Sequence, residues 1–115
     1  MQLYEWNSVE KEKLNPTFAR QVINGQTMTV ARIFMYKGCL VPLHSHENEQ
    51  ITVVEQGELK FVVNGKEQMV KANEVLVIPP HAPHSAEAVV DSVTYDIFCP
   101  VREDWRNGTD AYLRR

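Results

Sequence analysis

The dipeptide Asn64-Gly65 separates two short runs, Leu59 to Val63 (LKFVV) and Lys66 to Lys71 (KEQMVK). In the first, Leu59, Phe61 and Val63 alternate onto one face, the period of a half-buried strand. A two-residue type I′ turn needs positive φ at both central positions, and Asn-Gly meets that need at least cost. The pair therefore predicts a tight hairpin. Similar runs follow one another along the chain: Met28 to Tyr36, Ile51 to Gln56 closed by Gly57, and Val75 to Ile78 stopped by Pro79-Pro80. His84 to Val90 and Ser92 to Cys99 complete the set. Short strands spaced by roughly ten residues, with turn signals between them, predict an all-β sandwich or barrel. Glu10 to Leu14 and Arg102 to Arg106 are each expected to form a turn or two of helix, the second stopped by Gly108. No repeat or linker divides the 115 residues, so residues 1–115 are read as a single domain.

Composition narrows the function. Twelve basic and fifteen acidic residues give a net charge of −3, and the basic residues are scattered apart from the adjacent Arg114 and Arg115. A nucleic-acid footprint is not expected. The longest apolar run is four residues, too short for a membrane span or a signal-peptide core, so no membrane partner is expected. Cys39 and Cys99 form no C-x-x-C, which favours a reducing compartment and a cytoplasmic location.

The four histidines fall in two pairs, His44 with His46 and His81 with His84. Side chains at i and i+2 of an extended strand point the same way, so His44 and His46 can grip one metal ion. His81 follows two prolines in a strand connection, where a rim or surface role is expected. A second polar cluster lies in Ser92 to Cys99, where alternation puts Thr94, Asp96 and Phe98 on one face and Val93, Tyr95 and Ile97 on the other. Aspartate is depleted in strands, so Asp96 calls for a reason. One account is an edge strand with Arg102 pairing to Glu103 or Asp104; the other is function.

Gly38-x5-His44-x-His46-x3-Gln50-x6-Gly57 and Asn73-x5-Pro79-x-His81-x2-His84 resemble the two motifs of the cupin superfamily. The first motif matches at every position except the acid, which is Gln50 here. In the second, Asn73, His81 and Ala88 replace two glycines and an asparagine. The resemblance implies a small double-stranded β-helix (jelly-roll) barrel with short N- and C-terminal extensions. It also implies one divalent transition metal ion (Ni, Mn, Fe, Zn or Co) inside its mouth. The six-residue gap to Gly57 assigns the ligand slot to Gln50, not Glu49. A set of His44, His46, His84 and Gln50 carries no anionic ligand, which leaves the metal a stronger Lewis acid and a better host for an anion. The alternative is three barrel-interior histidines with no metal.

The strings HSHENEQ, IPPHAPHS and DIFCPVREDW are similar to those of the KdgF group of cupins, which open the ring of 4,5-unsaturated monouronates from pectin and alginate breakdown. The group's D-x-F-x3-R spacing carries over to Asp96, Phe98 and Arg102 as catalytic residues. The resemblance implies that Asp96 moves protons, Arg102 clamps the carboxylate of a small anionic sugar, and Phe98 walls the pocket. Competing readings are a cupin dioxygenase or other small-molecule metalloenzyme, and a non-catalytic sugar-binding module. The segment Met1 to Asn24 carries Leu3, Tyr4, Trp6, Leu14, Phe18, Val22 and Ile23, apolar surface that suggests a homodimer. Alternatively, Trp6 and Trp105 cover the outside of the barrel itself.

Overall fold

Asn64 and Gly65 both take positive φ, 52° and 78°, and join β6 (Glu58–Val63) to β7 (Lys66–Lys71) with Val63 opposite Lys66. The computed structural model describes residues 1–114; Arg115 lies outside them. The other strands are β1 (Glu12–Asn15), β2 (Phe18–Asn24), β3 (Thr29–Met35), β4 (Leu40–His44) and β5 (Glu49–Gln56). After the hairpin come β8 (Val75–Ile78), β9 (His84–Ala88) and β10 (Ser92–Cys99). One helical turn, α1 (Glu103–Arg106), follows, with 3-10 turns at Trp6–Ser8 and Ala111–Leu113. Among the described residues no helix is long and apolar enough to cross a membrane.

Two antiparallel sheets face each other. One has the order β1-β2-β3-β10-β5-β8 and the other β4-β9-β6-β7. This is the all-β fold that the alternation predicts, in the jelly-roll form that the motif resemblance implies. Alternate residues of each strand turn inward: Ala31, Ile33, Val54 and Ile78 from the larger sheet meet Leu59, Phe61 and Ala86 from the smaller. Each large apolar side chain buried this way contributes about 1.5–3 kcal/mol. The chain changes sheets at Gly57, whose φ is 92° and where a Cβ would collide with Ser92 Oγ and lie 2.6 Å from the Asp91 carbonyl oxygen. Only glycine fits that corner. Asn73 and His81, which stand where the motif has glycine, adopt φ of 72° and 65°. Asparagine and histidine are among the side chains that enter the left-handed region most readily, so the turns survive the replacements.

Two local expectations are corrected. Glu10 to Leu14 is not helical: Glu12–Asn15 forms β1 and pairs with β2. A helix this short leaves most of its backbone polar groups without partners, whereas a hairpin satisfies them. Asn15 Oδ1 accepts the Thr17 N–H at 2.9 Å and turns the chain back, and Leu14 then enters the core. Nor is the Asp96 strand an edge, because β10 lies between β3 and β5. The helical turn near Arg102 to Arg106 forms as expected, one residue later.

Candidate metal centre and active site

His44 is the last residue of β4 and pairs in register with His84, the first residue of β9. His46 lies just past the end of β4, and its ring stands 5.5 Å from that of His44 and 4.9 Å from that of His84. One ring nitrogen from each histidine lies within 4.8 Å of the others, a group able to hold a metal ion. Backbone carbonyls decide which nitrogen that is. The Nδ1 atoms of His44, His46 and His84 lie 2.7, 3.1 and 2.8 Å from the carbonyl oxygens of Pro42, Asn48 and Ala82. A carbonyl only accepts, so Nδ1 of His44 and His84 carries the proton and their Nε2 keeps its lone pair, while neutral His46 has one N–H for the two carbonyl oxygens that face its ring. Gln50 on β5 completes the arrangement. Its Nε2 donates to Thr52 Oγ1 at 2.9 Å, which turns Oε1 to within 3.2 Å of His46 Nε2.

One N–H of a neutral His46 cannot satisfy both the Asn48 carbonyl and Gln50 Oε1, and a cation bound by His46 Nε2 and Gln50 Oε1 removes that conflict by leaving Nδ1–H for Asn48. Burial pushes the His44 and His46 pKa values down to about 4, with the nearby Arg102 charge acting in the same direction. Burial also lowers that of His84. At neutral pH all three are uncharged imidazoles, the form that coordinates metal. The donor set fits a divalent transition ion. His81 does not join it: its side chain is exposed, and its backbone N–H donates to the His46 carbonyl at 2.8 Å.

Asp96, Phe98 and Arg102 line the same cavity as His44, Gln50 and His84. The cavity has about 480 Å³ of free space, part of it open to solvent. Asp96 stands opposite Thr52 on β5, and the hydroxyls of Thr52 and Thr94 donate to it. Burial nonetheless raises its pKa to about 6, outweighing those hydroxyls and the Arg102 charge. Phe98 is buried with its ring edge-on to His46 at 5.7 Å. Arg102 is 2% exposed and its guanidinium lies between partners. Nε and Nη2 donate to the Asp104 carboxylate at 2.9 and 2.8 Å, and Nη2 also donates to the Tyr112 hydroxyl at 2.7 Å. The Phe98 and Trp105 rings lie 4.6 and 4.4 Å from it. Among the described residues Nη1 has no hydrogen-bond partner, which leaves its two N–H donors on a held guanidinium for a ligand.

Residues 32–97 match the cupin domain family. The chain belongs to the cupin family. No curated protein sequence matches this cupin, but solved structures do. An RmlC-like cupin from Shewanella frigidimarina superposes with a TM-score of 0.86 at 25% identity, covering 91% of this chain and 96% of that one. KdgF from a Halomonas species superposes with a TM-score of 0.85 at 23% identity, covering 91% and 98%. A predicted oxalate decarboxylase from Thermotoga maritima gives 0.77 at 19% identity, covering 86% and 99%.

The cupin family match ends at residue 97, yet the segment that follows supplies much of the site. Tyr112, absent from the sequence expectations, stacks on His44 at 4.7 Å and fixes Arg102. Burial holds its phenol above the usual pKa, so it keeps its proton at neutral pH. Trp105 lines the cavity and does not cover the outside of the barrel, as one account had it. Trp6 does cover the outside, 6.0 Å from Tyr95. The segment is tied down by Asp110, which is fully buried and accepts from Arg20 Nη2 at 2.6 Å and from Arg114 Nε at 3.2 Å. The only signal for these roles in sequence is a tail rich in aromatic and charged residues.

Proposed function

We propose that this cupin opens the ring of 4,5-unsaturated monouronates, with a divalent transition metal held by His44, His46, His84 and Gln50. The observation that carries the reading is the meeting of the three-histidine cluster and Gln50 with Asp96 and Arg102, contributed by distant parts of the chain. The fold shared with KdgF is consistent with it. When bound, the metal supplies Lewis-acid polarisation of the ring C–O bond.

The protein's own groups account for the rest. Arg102 binds the substrate carboxylate through Nη1 while Asp104 and Tyr112 keep its plane fixed. Asp96 takes the proton of the anomeric hydroxyl. The C1–O bond to the ring oxygen then breaks as the C1 carbonyl forms, and its electron pair stays on the ring oxygen as an enolate. Protonation of that enolate at C4 gives the linear 5-keto sugar. The proton removed equals the proton returned, so one carboxyl group titrating near pH 6 serves both steps. Ile33, Met35, Leu59 and Phe61 at the cavity wall offer no hydrogen bonds, so the sugar's polar groups meet the histidines, Gln50, Asp96 and the C-terminal segment instead.

The test is incubation of metal-loaded protein with unsaturated galacturonate or mannuronate monomers, following loss of the conjugated-acid absorbance. Turnover is expected, abolished by a chelator and reduced at least about a hundredfold in Asp96→Asn and Arg102→Ala. Full activity in either variant, or none in the metal-replete wild type, overturns the proposal.

A further inference from the structure

Tyr112 reaches the site from the 3-10 turn Ala111–Leu113, where the Leu113 N–H donates to the Asp110 carbonyl at 3.0 Å and the Leu113 side chain enters the core. Its ring lies against His44, 4.7 Å between centroids and tilted by 33°, so the phenol stands beside the histidine cluster and lines the cavity. Phenylalanine would pack there as well. The hydroxyl calls for a reason of its own.

A phenol has one hydrogen to donate and lone pairs with which to accept. One lone pair is occupied, because Arg102 Nη2 donates to it at 2.7 Å. Among the described residues nothing accepts the hydroxyl's own hydrogen. The same count for Arg102 sends the Nε hydrogen and one Nη2 hydrogen to Asp104 and the other Nη2 hydrogen to Tyr112, which leaves those of Nη1. Nη1 and Nη2 share one planar carbon, so Nη1 and the Tyr112 hydroxyl lie within about 5 Å of each other. Two neighbouring donor groups, one charged and one neutral, thus border the cavity without an acceptor in the protein. They suit a ligand with two adjacent oxygen functions.

A 4,5-unsaturated uronate has that pattern, because its C5 bears both the carboxylate and the ring oxygen. With the carboxylate seated on Nη1, the ring oxygen comes within reach of a donor beside Nη1. On that oxygen the electron pair collects when the C1–O bond breaks.

We propose that Tyr112 is a further catalytic residue, whose hydroxyl donates a hydrogen bond to the ring oxygen as enolate charge develops there. The role rests on the uronate reading above. The hydrogen stays on the phenol throughout, so the proton balance between the anomeric hydroxyl, Asp96 and C4 is unchanged. His44 and Arg102 fix the donor in advance, so it meets the developing charge without reorganising. An enolate oxygen accepts far more strongly than an enol-ether oxygen, so the bond acts on kcat and little on KM.

Tyr112→Phe tests the role, since it keeps the ring against His44 and the Asp104 bonds that hold Arg102. On unsaturated galacturonate or mannuronate, the metal-loaded variant is expected to lose about a hundredfold in kcat, with KM within about threefold of wild type. Its metal affinity, measured by competition with a chromogenic chelator, is expected to stay within about threefold, and its circular dichroism to be that of the wild type. With an active wild type, a kcat within about threefold overturns the role. So does a KM raised about tenfold at unchanged kcat, because the hydroxyl would then only orient Arg102. A metal affinity about tenfold weaker overturns it too, because the residue would then act through His44. An inactive wild type overturns instead the uronate reading itself, and this role with it.

Discussion

Asp96 combines a functional position with a cost to stability. Its folded-state pKa of about 6 lies above its ordinary value of 3.8 because burial disfavours the carboxylate. The folded protein therefore binds this proton more tightly than the unfolded chain does. Stability from Asp96 is present below about pH 3.8 and is lost as pH rises through about 6. In metal-free protein, Asp96→Asn removes the penalty. It is expected to raise stability at pH 7–8 by up to about 3 kcal/mol and to change it little near pH 4, as thermal unfolding at the two pH values will show. The same substitution is expected to lose turnover, a trade of stability for chemistry. The sequence made Asp96 legible as an anomaly, because aspartate is depleted in strands and one in mid-strand needs a reason. It could not supply the pKa, which depends on how deeply the barrel encloses the carboxyl.

At the scale of elements, the C-terminal segment after β10 holds the site's aromatic and cationic wall in place. Arg20 on β2 and Asp110 are 2% and 0% exposed, and the segment's position depends on this pair together with the bond from Asn15 Nδ2 to the Leu113 carbonyl at 3.1 Å. Removing one partner of a buried ion pair leaves the other charge desolvated, at a cost of about 3–5 kcal/mol. Glu12 still accepts from Arg20, so Asp110→Ala is expected near the lower end, about 3 kcal/mol. Limited proteolysis should then cut after α1 faster than in the wild type, and uronate turnover should fall although no metal ligand has changed. Protection equal to wild type would show that the pair does not secure the segment. The strands that flank the site were readable from alternation and turn residues. This tether was not, since Arg20 and Asp110 lie ninety positions apart and only packing joins them.

For the whole molecule, the cluster of neutral imidazoles sets the acid limit of the metal-free barrel. His44 and His46 titrate near pH 4 when folded, against 6.5 ordinarily, so the unfolded chain binds more protons between those values. Stability from these groups is complete above about pH 6.5 and is lost as pH falls toward 4. The loss is expected to reach a few kcal/mol, partly offset by Asp96 and therefore steeper in Asp96→Asn. Denaturant unfolding of chelator-treated protein across this range measures it, and added divalent metal should raise the midpoint by mass action above about pH 6. A flat profile would mean that the three rings are not desolvated together.

Period-two alternation and the Asn-Gly turn were sufficient to predict an all-β sandwich or barrel, and the His44-x-His46 spacing to single out that pair; the jelly-roll, His84 and Gln50 came from the resemblance to the cupin motifs. Alternation, turn and spacing are local properties, because strand faces and turn φ values belong to residues within a few positions of each other. The approach of Gln50 Oε1 to His46 Nε2, the burial that shifts Asp96 and the tether of the tail to β2 were decided by the tertiary structure. Each depends on desolvation or on contact between distant residues, and both arise only when the two sheets close on one another.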